Sequence, residues 1–407
     1  MLARRLLIAG SGASFTTPAV AAAFSLGVTG FWNDVASPHG AYYNGKTYLA
    51  WVDDTGELYA AEYVHSTKTL STPVDLGSTT STDGVIHNAP SVLVRSSDRR
   101  IIIAASEDKT TATPGYWIST NAEDATAFGS FIPHAASLTN PTYPIIVQLS
   151  GGAIYYFIRY YVSGASKFYT GYYKSTDGGS SWSSLQDLLI PDSTQSQYHS
   201  IGSDGSRIDI FTTNTDRAAS PSSLYHLYLD SSDVAHKSDG TTISAARPFV
   251  ASEGTLVQNA SLGACRADGW SYSSGNPACL VLVNDADGGT NTLARAARWT
   301  GSAWQVNAVA SAGGVVGGNV YVSSGGMSTP DQIWFPRKVG SYFELFRYDS
   351  PDSGTTWNAT QITTGSTADN ATPGAVMDAA SGLRVAWGYG TFTDATSFTM
   401  TLQGYGS

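Results

Sequence analysis

Apolar and aromatic residues along the chain come in short runs that meet a tight turn and return as a second such run. Seven copies are visible: AYYNGKTYLAWV, PSVLVRSSDRRIIIAAS, PIIVQLSGGAIYYFIR, HSIGSDGSRIDIFTTN, LGACRADGW with PACLVLV, NVYVSSGGMSTPDQIWFPR and GAVMDAASGLRVAWGYG. Runs of this length bounded by turn residues read as strands. Asn-Gly, Asp-Gly and Gly-Gly turns supply the positive φ that a hairpin joint needs. With Gly45, Asp98, Gly151, Gly205, Gly269, Gly325 and Gly382 as turn markers, the copies recur at steps of 53, 53, 54, 64, 56 and 57 residues. Each step has room for four strands of about five or six residues with their connections. No long amphipathic helical pattern intervenes. A single hairpin buries too little apolar surface to stand alone, and radial stacking solves that while protecting strand edges. The predicted fold is all-β: a seven-bladed β-propeller of four-stranded antiparallel blades over residues 30–407, with an N-terminal extension over 1–29. A strand near residues 30–35 is expected to complete the last blade and close the ring.

Two further segments fit this fold. Residues 175–182 read STDGGSSW and residues 350–357 read SPDSGTTW, both matching S-x-D-x-G-x-x-W. In this pattern Asp177 and Asp352 accept turn amides, Gly179 and Gly354 relieve a positive-φ position, and Trp182 and Trp357 anchor the turn. These aspartates are used in holding turns and are not catalytic candidates.

Composition narrows the classes. Hydrophobic residues make up 42% of the chain, aromatic residues 12% and charged residues only 13%. That is too aromatic and too weakly charged for a disordered chain, and neither a collagen period nor heptads appear. With 22 basic against 32 acidic residues the net charge is −10, so the basic footprint that nucleic acid demands is missing. An anionic sugar polymer is compatible only through a local Arg or His cluster. Cys265 and Cys279 flank RADGWSYSSGNPA, which leaves two readings open: a disulfide closing that loop, or two buried thiols. Arg4 and Arg5 followed by Leu6-Leu7-Ile8, with Ala21-Ala22-Ala23 further on, have the outline of a secretory signal. Gly10, Ser11, Gly12, Ser14, Thr16, Thr17 and Pro18 break the apolar core such a signal needs. The segment is therefore read as retained, and docked on its own domain or on a larger assembly. No stretch reaches the length of a membrane span.

The mouth of a propeller is its natural pocket, because loops from every blade converge there. Titratable and aromatic groups at the ends of the first strands are His39, His87-Asn88-Ala89-Pro90, Thr142-Tyr143-Pro144, Arg159 and Tyr198-His199. Each has a plain reading. His39 follows Ser37-Pro38 and is taken as a loop residue. His87 can satisfy a turn before a strand, and Tyr143 can be an extended residue preceding Pro144. Arg159 shares a strand face with Tyr155 and Phe157 on a period-two reading, which offers a cation–π stack.

The order of these motifs is similar to that of the BNR-repeat (Asp-box) propeller family, whose best-known members are polysaccharide lyases that cleave ulvan, a sulfated uronate-containing polymer. The resemblance runs over YYNGKTYLAWVDDTGELYAAEY, His-Asn-x-Pro, TYP, an aromatic strand ending in Arg, an Asp-box and Tyr-His. It covers residues 30–245, and the remaining blades only through the repeat. It implies β-elimination: neutralising a uronate carboxylate, taking the proton α to it and protonating the departing glycosidic oxygen. In that scheme His87 is the base or carboxylate-side partner, and Tyr143 the acid/base beneath the scissile bond. Arg159 neutralises the carboxylate or lowers the tyrosine pKa, while Asn88, Tyr198 and His199 line the substrate. One departure stands out. Where ulvan-cleaving relatives carry a second histidine, residues 104–109 read AASEDK, and Glu107 or Asp108 there is expected to repel a uronate.

Other chemistries fit less well. Three arginines for a sialidase triad cannot be placed. Residues 284–289, NDADGG, lack the spaced ligands of a calcium loop and read as a hairpin turn. Zinc spacing, a Walker loop and a nucleophile elbow are missing, so neither cofactor nor metal is expected. The functional expectation is a propeller that binds an anionic, uronate-containing polysaccharide and cleaves it by β-elimination, outside the cell. The alternative is a non-catalytic glycan- or receptor-binding propeller held by its N-terminus on a larger particle, such as a phage virion or a cell surface. A plain structural propeller is a third reading.

Overall fold

A computed structural model of the 407-residue chain describes residues 23–30, 40–78, 85–192, 196–215, 221–284, 290–318, 323–375, 383–394 and 397–406. They form seven antiparallel sheets, each entered at its innermost strand. The innermost strands are Gly40–Tyr43, Ser91–Val94, Thr139–Gln148, His199–Ser203, Ala264–Ser273, Gly326–Thr329 and Asp369–Ala375 for blades 1 to 7. Blades 2, 5 and 6 follow the plain four-strand order. Blade 1 ends with two short strands, Thr69–Leu70 and Val74–Ser78, on the same partner. Blade 3 gains a parallel fifth strand, Phe249–Val250, and blade 4 gains Thr255–Gln258.

The ring closes as a mixed blade, in which Ala23–Thr29 is the outer strand beside Ser397–Gly406. The closing strand therefore lies upstream of the expected 30–35. Its Phe24, Leu26 and Val28 pack against blade-1 and blade-7 apolar residues at period two. Residues 1–22, with the signal-like segment and the rest of the expected docking arm, and His39 lie outside the described residues. Two turn markers also move. Blade 5 turns at Ser274-Gly275, and Gly269 instead occupies a bulge at φ 78° in the first strand. Blade 6 turns at Pro330-Asp331, after Gly325. The longest sequence step spans the two strands added to blades 3 and 4.

Both Asp-box turns have the expected wiring. Asp177 accepts the Ser181 amide at 2.9 Å and the Ser181 hydroxyl at 2.6 Å, while Ser175 Oγ accepts the Gly179 amide at 2.7 Å. The Ser181 hydrogen bonds hold the Asp177 carboxyl down at about 2. Asp352 takes the same bonds from Thr356, and Ser350 takes the Gly354 amide. Trp182 Nε1 donates to Tyr116 Oη of blade 2, tying the turn of blade 3 to its neighbour.

Blades 4 and 5 are joined by a buried polar clamp. Asp209 accepts from His226 Nε2 at 2.9 Å, from Arg207 Nε and from Tyr272 Oη at 2.8 Å. Ser238 Oγ lies 2.9 Å from His226 Nδ1 and accepts from Trp304 Nε1. The order Asp-His-Ser resembles a hydrolytic triad, but Trp304 and burial commit Ser238 to the core. A closer contact joins the same blades: a Cβ on Gly202 would stand 1.9 Å from the Trp270 indole. Gly202→Ala is expected to lower stability by about 1–3 kcal/mol through overpacking, read as a lower urea midpoint. An unchanged midpoint would contradict this packing.

Cys265 lies opposite Val283 and Cys279 opposite Trp270, several rungs apart on the same hairpin. Both are buried and unbridged, so the disulfide reading is overturned. Burial pushes the Cys265 thiol up to about 12 and Cys279 well above its usual range.

Candidate functional site at the propeller mouth

Because each sheet is entered at its innermost strand, the starts of those strands gather at one mouth of the ring. His87 sits there in the short 3-10 turn Val85–Asn88 that leads into blade 2. Tyr143 lies in the first strand of blade 3, and Arg159 in the second strand, Ile154–Val162. Tyr198 immediately precedes the first strand of blade 4.

A distortion aims Tyr143. Register is broken on both sides of the Thr142–Arg159 pair, and Tyr143 stands at φ 57°. A bulky residue before proline rarely adopts that conformation, and it costs on the order of 1–3 kcal/mol unless its surroundings fix it. Here they do. The Arg159 guanidinium lies 4.3 Å from the Tyr143 ring centroid, and the His87 ring meets it edge-on at 5.6 Å. Tyr198 is 6.1 Å away. The same guanidinium is 4.7 Å from Phe168 and 5.1 Å from Tyr198, and Arg159 Nε donates to Thr142 Oγ1 at 2.9 Å. The cation–π stack anticipated at Arg159 is thus real, but its partners are Tyr143, Phe168 and Tyr198 rather than Tyr155 and Phe157. Burial works against the Arg159 charge, yet Tyr143, Tyr198 and Asp108 outweigh it and raise its pKa.

Asp108 changes the picture drawn from sequence. Its carboxylate lies 2.8 Å from His87 Nδ1 and accepts from Asn140 Nδ2 at 3.2 Å. Burial alone would raise its pKa, but His87, Asn140 and Arg159 bring it below the ordinary carboxylate value. Glu107 pairs with Lys109. The acidic pair thus faces cations and donors, and the repulsion expected of it is largely met from within the protein.

Asn88 and His199 stand behind these groups. Asn88 is fully buried, and its Oδ1 accepts the Asp108 amide at 2.7 Å, so adjacent residues of the His-Asn motif hold one aspartate by side chain and backbone. His199 is buried, with Nδ1 3.4 Å from Thr170 Oγ1 and no partner on Nε2 among the described residues. Burial, and then the Arg159 charge, lower its pKa to about 3. The groups differ in reach: the His87 side chain is 25% exposed, whereas Arg159 and Tyr143 are 5% and 1% exposed. Beside them a cleft of about 300 Å³ between blades 1 and 2 is lined by Trp117, Phe131, Ser106 and Glu107. Sequence reasoning missed Asn140 and Phe168; the NPTYP run was the available signal for the first. Among the described residues no group of three or more His, Cys, Asp or Glu gathers to hold a metal, and no helix is long and apolar enough to cross a membrane. The expected turn at 285–289 lies outside the described residues.

Solved structures share this architecture. The structure of the ulvan lyase PL25 bound to -[GlcA(1-4)Rha3S]- is 17% identical, with 93% of this chain and 96% of that one aligned at a TM-score of 0.68. A second structure of PL25 ulvan lyase gives 0.69 at the same identity and coverage. The polysaccharide lyase Uly1 is 11% identical over 97% of this chain and 94% of its own, with a TM-score of 0.59. At these identities the likeness is one of fold. No curated protein matches the sequence. The family model described as BNR repeat-containing family member matches residues 46–312, well over half of the chain, and this protein belongs to that family.

Proposed function

We propose that the protein is a carbohydrate-active propeller that cleaves a uronate-containing polysaccharide by β-elimination. The observation that carries this reading is the convergence of His87, Tyr143, Arg159 and Tyr198 from three blades on one mouth, with a guanidinium stacked on the phenol. The solved neighbours named above are polysaccharide lyases, one of them bound to -[GlcA(1-4)Rha3S]-, which supports the same reading. His87, the most exposed of the three proposed catalytic groups, takes the proton α to the uronate carboxylate. The C–H bond and the glycosidic C–O bond break, a C=C bond forms between the two carbons, and the departing oxygen receives the Tyr143 proton. Arg159 stabilises the phenolate left behind, since a cation beside a phenol favours its charged form. Its burial under Tyr143, Phe168 and Tyr198 favours that role over a two-pronged grip on substrate. Asn88 and His199 support the site from behind, and Tyr198 borders it. Trp117 and Phe131 offer aromatic surface to a neighbouring sugar ring. A polymer of this kind does not cross membranes, so the reaction belongs outside the cell.

Incubation with uronate polymers is expected to raise ultraviolet absorbance as the unsaturated, carboxylate-conjugated product accumulates. New reducing ends without absorbance would replace elimination with hydrolysis. No change with any uronate polymer would overturn the reading.

A further inference from the structure

The AASEDK segment puts a carboxylate against the one exposed imidazole of the site, and the geometry restricts what that imidazole can be. Asp108 is 3% exposed and its pKa is lowered, so it is an anion and can only accept. The 2.8 Å contact to His87 Nδ1 therefore requires a hydrogen on Nδ1. His87 Nε2 makes no hydrogen bond among the described residues, and the side chain reaches solvent. Asp108 is itself fixed from two blades: Asn88 takes its amide, and Asn140 of blade 3 donates to its other oxygen. Asn140 in turn donates its own amide to the Lys109 carbonyl at 3.0 Å, which locks the loop carrying the carboxylate.

We infer that Asp108 is a positioning residue for His87, holding the hydrogen on Nδ1 so that Nε2 is presented at the mouth as the proton acceptor. This rests on the function proposed above. Asp108 then also stabilises the imidazolium that forms when Nε2 takes the substrate proton, with no proton passing to Asp108 itself. The logic is that of any carboxylate behind a catalytic imidazole: it sets the tautomer and angle of the ring rather than touching substrate.

The test uses the full chain labelled with 15N-histidine, with the His87 signals assigned among the seven histidines by their loss in His87→Gln. Nitrogen shifts separate a protonated ring nitrogen from a bare one. Neutral His87 is expected to carry its hydrogen on Nδ1 in the wild type. Asp108→Asn, whose amide can donate to Nδ1, is expected to move the hydrogen to Nε2 and to lower kcat by roughly 10²-fold with little change in KM. A wild-type ring protonated on Nε2 overturns the inference, as does an Asp108→Asn protein with the wild-type tautomer and kcat. The wild-type spectrum decides even if the variant does not fold. If no uronate polymer is cleaved, the functional reading fails, while the tautomer still confirms or refutes what Asp108 does to His87.

Discussion

Tyr143→Phe is expected to lower the rate of uronate-polymer elimination by about 10³-fold while leaving the fold in place. The substitution removes one oxygen and keeps the ring. The packing that fixes residue 143 is ring packing: the guanidinium face at 4.3 Å, the His87 edge at 5.6 Å and Tyr198 at 6.1 Å. All three survive in phenylalanine, and so does the positive-φ bulge they stabilise. The stability cost is therefore that of one hydroxyl, about 1 kcal/mol. The chemical cost is larger because the departing sugar oxygen loses its proton donor, and Arg159 is left without a phenolate to stabilise. Polymer binding, through the His87 edge and the Trp117–Phe131 cleft, is expected to persist. The measurement pairs initial rates with a thermal melt. A variant that melts like wild type and cleaves at the wild-type rate would remove Tyr143 from the chemistry, and one that neither binds nor folds would show the hydroxyl to be structural.

The parts of this molecule that were legible in the sequence are those written locally. Hairpin turns at Gly45, Gly151 and Gly205 need positive φ or close turns, and the two Asp-boxes close on themselves within a few residues. The blade repeat could therefore be counted. A glycine marks the turn falsely where it serves another purpose, as Gly269 does in relieving a bulge at φ 78° against the Met327 backbone. The closing strand, Ala23–Thr29, is hard to place from sequence because an outer strand has one weakly buried face. Its signal, Phe24, Leu26 and Val28 at period two, is weaker than the aromatic run after Gly30. At the site, residue types were readable but pairings were not. In sequence Asp108 reads as hostile to an anionic substrate because its partners, His87 in a 3-10 turn and Asn140 on a strand of the next blade, are 21 and 32 residues away. Likewise the strand that carries Arg159 is legible, but its ring partners come across a hairpin and from the next blade.

The second large effect is a loss of stability in mild acid, driven by histidines that the fold buries uncharged. His134 is stacked on Tyr173 at 4.1 Å and enclosed by Tyr116, Tyr156 and Trp182, with no partner on Nε2 among the described residues. Burial lowers its pKa to about 3, and His199 is lowered to about 3 by burial and by the Arg159 charge. In the unfolded chain both titrate near 6.5. Below that pH the unfolded state takes up protons that the folded state refuses, so their contribution is fully present above about 6.5 and declines towards 3. Each histidine costs about 1.4 kcal/mol per pH unit in this window, and the pair together about 4 kcal/mol at pH 5. That is a large share of the roughly 5–15 kcal/mol that holds a typical domain folded. His226, also lowered by burial, acts in the same direction. The depressed carboxylates Asp108 and Asp177 add their loss only below about pH 4, where unfolded aspartates begin to protonate. Urea midpoints between pH 7.5 and 5 are therefore expected to fall steeply, and His134→Phe, which keeps a ring in the stack, is expected to flatten the slope by about one proton. A midpoint constant across that range would mean that these imidazoles reach water or a proton-accepting partner, contrary to their packing between the blades.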